Sequence, residues 1–113
     1  MKEIKAIIQP HMLARVLDRL HAVPHFPGVT VSDCQGQGRG KGPGRRYVPD
    51  ERTIDLVPKK KLEVFCTDEA CDRLVETIQG AAHTGNAGDG VIMVADLPRV
   101  VRIRTGEQQD EAV

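Results

Sequence analysis

Apolar residues recur at two spacings along this chain, and the switches between them outline its elements. In residues 3–9 (EIKAIIQ), Ile4, Ala6 and Ile8 fall on one side, the period of two that marks a strand. Pro10 closes that strand and suits the first turn of a helix. Leu13, Val16, Leu17 and Leu20 then return at intervals of three and four, which predicts an amphipathic helix over residues 11–22. Pro24, Pro27 and Gly28 interrupt that pattern. Residues 29–34 (VTVSDC) alternate again, with Val29 and Val31 opposite Thr30 and Ser32. A third strand spans residues 61–66 (KLEVFC), where Leu62, Val64 and Cys66 face one way. Thr67 or Asp68 can cap a second helix, whose stripe of Cys71, Leu74, Val75, Ile78, Ala81 and Ala82 runs to residue 82. Residues 91–95 (VIMVA) are apolar on both sides, which predicts a central strand. Beyond the Leu97-Pro98 turn, residues 99–104 read as a short fifth strand, and the acidic residues 107–113 are expected to fray.

Strand, helix, strand, strand, helix, strand is the order of the split βαβ arrangement. The predicted fold is therefore α+β, a ferredoxin-like βαββαβ sandwich with a short extra C-terminal strand and one long loop, in a single domain over residues 1–113. Both helices then cover one face of the sheet. With no spare helix for the other face, self-association is the simplest cover.

Two glycine-rich segments stand outside the regular pattern. Gly36, Gly38, Gly40, Gly42 and Gly44 fall within nine residues, and no convincing pattern returns until after residue 53. Loops of that length in compact domains are usually functional or disordered. The second segment is Thr84-Gly85-Asn86-Ala87-Gly88-Asp89-Gly90, between the second helix and the apolar strand. Its glycines let backbone approach a ligand closely. Downstream, Arg102 and Arg104 are two apart, so on a strand both guanidinium groups leave one face and Val101 and Ile103 take the other. A glycine cradle followed by paired arginines suits an anion, above all phosphate. A plain tight turn and a solvated edge strand are the ordinary alternatives.

Composition narrows the function classes. Lys+Arg and Asp+Glu both number 16, so no net field draws the chain to nucleic acid, and two Phe, one Tyr and no Trp leave few stacking partners for bases. Charge is uneven, since Arg39, Lys41, Arg45, Arg46 and Arg52 crowd the long loop. Three cysteines with no pairing pattern suit a reducing compartment, and a cytoplasmic location is expected. His11, His21, His25, Cys34, Cys66 and Cys71 lack tight ligand spacing, so no metal ligand is assigned among them. No nucleophile and base are spaced for recognition, which argues against an enzyme.

The opening strand MKEIKAIIQP, Thr84-Gly-x-x-Gly-Asp-Gly90 and Arg102-Ile-Arg-Thr-Gly-Glu107, in this order and spacing, resemble the nitrogen-regulatory PII signalling family along nearly the whole chain. The resemblance implies a homotrimer that holds an adenine nucleotide, ADP, AMP or ATP, in clefts between subunits, with no covalently bound cofactor. It implies a T-loop at about residues 39–55 that presses on an unidentified target, a membrane transporter or an enzyme. The nucleotide positions that carry over are Ile7, Thr30, Gly36, Gly38, Arg39, Lys59, Val64, Gly88, Asp89, Gly90, Arg102 and Arg104. In that reading Ile7 and Val64 offer apolar walls, and Thr30 offers a hydroxyl beside the adenine. A small-anion effector such as bicarbonate would use Gly40, Lys41 and Lys59.

Three positions depart from the family pattern. Arg52 stands where members often carry a tyrosine that is nucleotidylated, so that modification is not expected. Gly40 replaces the glutamine that helps hold magnesium and 2-oxoglutarate beside ATP. Val91 replaces the lysine that follows Gly-Asp-Gly, which reduces the advantage of a triphosphate over a diphosphate. These departures point to a divergent, PII-like member. The alternative within the family is a metal-responsive protein associated with heavy-metal efflux.

Overall fold

The computed structural model describes residues 1–38 and 56–113. The elements run β1 (Lys2–Ile8), a 3-10 turn (Pro10–Met12), α1 (Leu13–His21), β2 (Thr30–Gly36), β3 (Val57–Cys66), α2 (Asp68–Ala82), β4 (Gly90–Asp96) and a second 3-10 turn (Gln109–Ala112). The strands form one antiparallel sheet in the order β2-β3-β1-β4. This is the expected ferredoxin-like α+β arrangement. Arg39, Gly40, Lys41 and Arg52, and with them the expected T-loop, lie outside the described residues.

Strand periodicity fixes which side chains meet the helices. Ile4, Ala6 and Ile8 of β1 and Leu62, Val64 and Cys66 of β3 are buried on one face. Val16 and Leu20 of α1 and Leu74, Ile78 and Ala81 of α2 close over them. Fully burying a side chain of this kind contributes about 1.5–3 kcal/mol, so this single aliphatic layer is the main source of stability. The α2 stripe read from the sequence is the buried one, apart from Val75, which is half-buried. Thr67 caps α2 by accepting a hydrogen bond from the Ala70 amide at 3.3 Å.

The opposite face carries Ile7, Phe65, Val91 and Met93 beside Lys5, Lys61, Glu3 and Glu63. Phe65, Val91 and Met93 stay 42–53% exposed, so the described residues leave this face uncovered.

Four expectations change. β4 is an edge strand, not a central one. Its second apolar face is that of the uncovered side, so the pattern marks a surface for covering and not a second neighbour. β3 begins at Val57, earlier than its apolar alternation, because residues 57–59 are held by pairing with β2 alone. Pro58 is tolerated there since its missing amide falls where no β1 partner is present. Residues 99–104 do not form a strand. Val101 makes a lone bridge to Gln108, and the chain turns over residues 103–105 with Gly106 at φ 73°. The C-terminal residues do not fray, since Gln109–Ala112 forms a 3-10 turn and Ala112 is buried.

Candidate functional site

The glycine loop between α2 and β4 is held by one carboxylate. Asp89 accepts hydrogen bonds from the Thr84 amide at 2.7 Å, the Gly85 amide at 2.9 Å and the Thr84 hydroxyl. The Thr84 hydroxyl in turn accepts from the Asn86 amide at 3.1 Å. The bonds from Thr84, then that from Gly85 with the nearby His83, hold the Asp89 carboxyl below its ordinary range. Asp89 is one of the expected nucleotide contacts. Its carboxylate is bonded within the loop and so organises the cradle.

Gly90 fixes where the cradle meets the sheet. It pairs with Ile8 at φ 113°, and a Cβ there would lie 1.8 Å from the Ile7 carbonyl oxygen. Only glycine fits so close an approach. Gly88, at φ 92°, lies beside the Gln9 side chain, and its carbonyl accepts a bond from the Lys59 ammonium at 2.9 Å. Gly36 packs against the Lys59 stem, its Cβ direction 3.7 Å from Lys59 Cγ. Ile7, Gly36, Lys59, Gly88 and Gly90 therefore cluster where β1 ends and β4 begins. A groove of about 390 Å³ opens beside them, between the last turns of α2 and the outer edge of β4.

A second group lies elsewhere. Thr30, Glu63 and Arg102 line a cleft of about 160 Å³ with Phe65, Val100 and the folded-back Ala112 and Val113. Arg104 is not part of its lining and sits in the turn of residues 103–105. The expected shared strand face of the two arginines is thus replaced by a turn. Thr30 is paired with Glu63, Glu63 with Lys5, and Lys5 with Met93, which places the group three strands from β4, about 14 Å across the sheet. Gly90 is three residues further along, about 10 Å. The expected ligands therefore divide into two half-sites, one at the end of the sheet where β1 and β2 finish and β3 and β4 start, the other beside the first residue of β2 and the middle of β3.

Val64 belongs to neither. It is 1% exposed on the helix face, so its side chain cannot wall a ligand. The alternation that made it a good strand residue also turned it inward. Gly38 is exposed just beyond β2. Gln9 and Glu63 join the site without being among the expected residues. Glu63 carries a signal in its register, since it stands opposite Thr30 on the uncovered face. Gln9 follows the strand and only the fold brings it to Gly88. Among the described residues, no three His, Cys, Asp or Glu side chains are grouped to hold a metal. His21 instead packs edge-on against Phe26, with ring centroids 5.1 Å apart. No helix among the described residues is long and apolar enough to cross a membrane.

Comparison with known proteins agrees with this geometry. The model of the family "Nitrogen regulatory protein P-II" matches residues 1–107. The chain is 46% identical over 113 residues to the nitrogen regulatory protein P-II of Azospirillum brasilense, covering 100% of each chain. It is 45% identical to that of Klebsiella oxytoca and 44% identical to the nitrogen regulatory protein P-II 1 of Escherichia coli K12, again over 100% of each chain. The departures at Gly40, Arg52 and Val91 are thus local changes in a chain that aligns from end to end. With a full-length match at this identity, the chain belongs to the nitrogen regulatory protein P-II family of signal-transduction proteins.

Proposed function

We propose that this chain binds an adenine nucleotide, ADP, AMP or ATP, between the subunits of a homotrimer, and regulates a target transporter or enzyme through residues 39–55. By its family it is a signalling regulator and not an enzyme. One observation carries the nucleotide reading. The half-site of Lys59, Gly88 and Gly90 and the half-site of Thr30 and Arg102 lie apart on the sheet, each open and each incomplete. A second copy, seated on the uncovered face, brings the half-site of one subunit against the other half-site of its neighbour. Arg102 and Arg104 then supply cationic partners for phosphates whose oxygens meet the loop amides, and Thr30 lies at the base. Ile7 remains as an apolar wall.

Lys59 couples the ligand to the loop. Its ammonium has three hydrogens, and the Gly88 carbonyl takes one. The others are available to a phosphate or to a small anion such as bicarbonate, with Gly40 and Lys41 beyond the described residues. Lys59 lies four residues after residue 55, so a ligand that fixes it also fixes the root of the loop, and its bonds to the ligand offset the entropy of ordering that root. With Val91 in place of a lysine, ATP has less advantage over ADP. Calorimetry with ADP, AMP and ATP, each with and without 2-oxoglutarate and bicarbonate, tests the proposal. Saturable binding of one nucleotide per subunit is expected, and silence with all three overturns it. A zinc and copper titration addresses the metal-responsive alternative, for which stoichiometric uptake is the required result.

A further inference from the structure

The loop of residues 84–90 is shaped to meet an anion, yet its own charge is negative. From Thr84 to Val91 the only ionisable side chain is Asp89. That carboxylate is structural, since it accepts from the Thr84 and Gly85 amides and the Thr84 hydroxyl. A phosphate brought to the Gly88 and Gly90 amides therefore meets a standing negative charge, which only a nearby cation offsets.

Two described side chains bring a cation to this loop. Lys59 is one, with its ammonium on the Gly88 carbonyl at 2.9 Å. His83 is the other, and its charge is conditional. Its Nδ1 lies 3.8 Å from Asp89 Oδ2, and its Nε2 lies 3.9 Å from the Cβ direction of Gly85. Asp89 accepts two bonds on Oδ2 and one on Oδ1. A carboxylate has about four acceptor sites, so room remains for an imidazolium N–H. His83 also ends α2, where its amide donates to the Gln79 carbonyl at 3.0 Å. The carbonyl end of a helix favours a cation, and the last turn of α2 holds no basic residue to serve instead.

Nothing else beside the imidazole carries charge. In the groove of about 390 Å³ that His83 and Asp89 line, β1 contributes Ile7 and Ile8, α2 contributes Val75, Gln79 and Ala82, and β4 contributes residues 90–92. All of these are uncharged, so Asp89 is the one titratable partner of His83 among the described lining residues. The His83 side chain is itself exposed and exchanges protons freely with water.

We infer that His83 makes anion binding at this loop proton-linked. As imidazolium it offsets Asp89 and steadies the carboxylate that holds the loop, so a phosphate is gripped more tightly. As neutral imidazole it leaves the field of Asp89 opposed by Lys59 alone. His83 acts through Asp89 and is a positioning residue. The inference rests on the proposed nucleotide site and names the proton as an effector of it. Histidine is the side chain whose charge changes between about pH 5 and 8, so the effect falls in the physiological range. Linkage is reciprocal, so nucleotide binding in turn draws a proton onto His83.

Calorimetry of the full chain with ADP at about pH 5.5 and about pH 8 tests it. Parent and His83→Gln are compared, so that the titration of the phosphate, common to both, cancels. The parent should bind about two- to fivefold more tightly than the variant at the lower pH and equally at the higher. His83→Lys, with a permanent charge, should keep the advantage at both. Near pH 6.5, titration in two buffers of unlike ionisation enthalpy should show more proton uptake by the parent than by His83→Gln. A parent-to-variant ratio that does not change with pH overturns the inference and leaves the nucleotide proposal standing. Should the nucleotides be silent, pyrophosphate is the probe of the loop. A pH-dependent ratio with pyrophosphate then overturns the nucleotide proposal alone, and silence of both ligands overturns the two together.

Discussion

Replacing Gly90 by alanine should be the most damaging single methyl group that can be added to the glycines described. Its Cβ would lie 1.8 Å from the Ile7 carbonyl oxygen and 2.9 Å from the Ile7 carbonyl carbon. Both are backbone atoms of a central strand, so no rotamer change relieves the overlap. The first turn of the β1–β4 ladder must open, at a cost of about 1 kcal/mol per hydrogen bond lost. The residue also sits at φ 113°, and holding a non-glycine residue in such a region costs about 1–3 kcal/mol. Alanine returns about 0.4–1 kcal/mol by restricting the unfolded chain. The net loss is about 2–4 kcal/mol, a large part of the roughly 5–15 kcal/mol that stabilises a domain. Denaturant unfolding should resolve it, with parent and variant compared at one concentration and in the same oligomeric state. The melting temperature should fall by about 10–20 °C. Gly106→Ala is the internal control, because Gly106 has φ 73° but nothing within 4 Å of its Cβ direction. It keeps the backbone strain without the overlap and should lose only about 1 kcal/mol. Equal losses for the two variants would refute the argument that Gly90 is required by close approach.

Three further outcomes are expected. Arg102→Ala with Arg104→Ala should weaken nucleotide binding at least tenfold in calorimetry, and unchanged affinity would make the pair structural. Because the Asp89 pKa is lowered by its loop bonds, its contribution to stability is present above the ordinary carboxylate value of about 4 and is lost as pH falls through the lower folded value. Asp89→Asn should flatten that acid limb of the unfolding profile, and an unchanged limb would refute the assignment. Burial, with Cys71 adjacent, pushes the Cys66 thiol up to about 12, so alkylation near pH 8 should modify the half-buried Cys34 first and reach Cys66 only on unfolding. Mass spectrometry of labelled peptides reads that order.

The sequence is most legible where burial happens within the chain. The α2 stripe, its Thr67 cap, and the inward residues of β1 and β3 follow directly from spacing, because the layer they fill lies in their own subunit. It is least legible where the relevant contact lies outside the chain. The apolar run of β4 signals two covered faces, yet the fold shields only Ile92 and leaves Val91, Met93 and Val94 exposed. The alternation of Val101, Arg102, Ile103 and Arg104 mimics a strand, although backbone bonds to Glu107, Gly106 and Gln109 make it a turn. Residues 57–60 show the reverse case, since they extend β3 before the point where its apolar alternation begins. Hydrogen-bond pairing with β2 recruits them. Of the expected site, the cradle glycines, Ile7, Lys59, Thr30 and Arg102 reach accessible positions. The Val64 side chain does not, because parity along β3 turns it to the inward face.

The uneven pairing of β3 has a kinetic consequence. Residues 57–59 bond to β2 only, while residues 60–63 bond on both sides and Leu62 and Val64 are locked beneath the helices. Local opening free energy should therefore climb steeply along a single strand, and amide exchange should slow from Val57 toward Leu62. The end that leads back to residue 55 can detach and re-form many times while the far end keeps the sheet in register. One strand thus serves as both the yielding and the fixed half of a hinge, and its opening end leaves the core undisturbed.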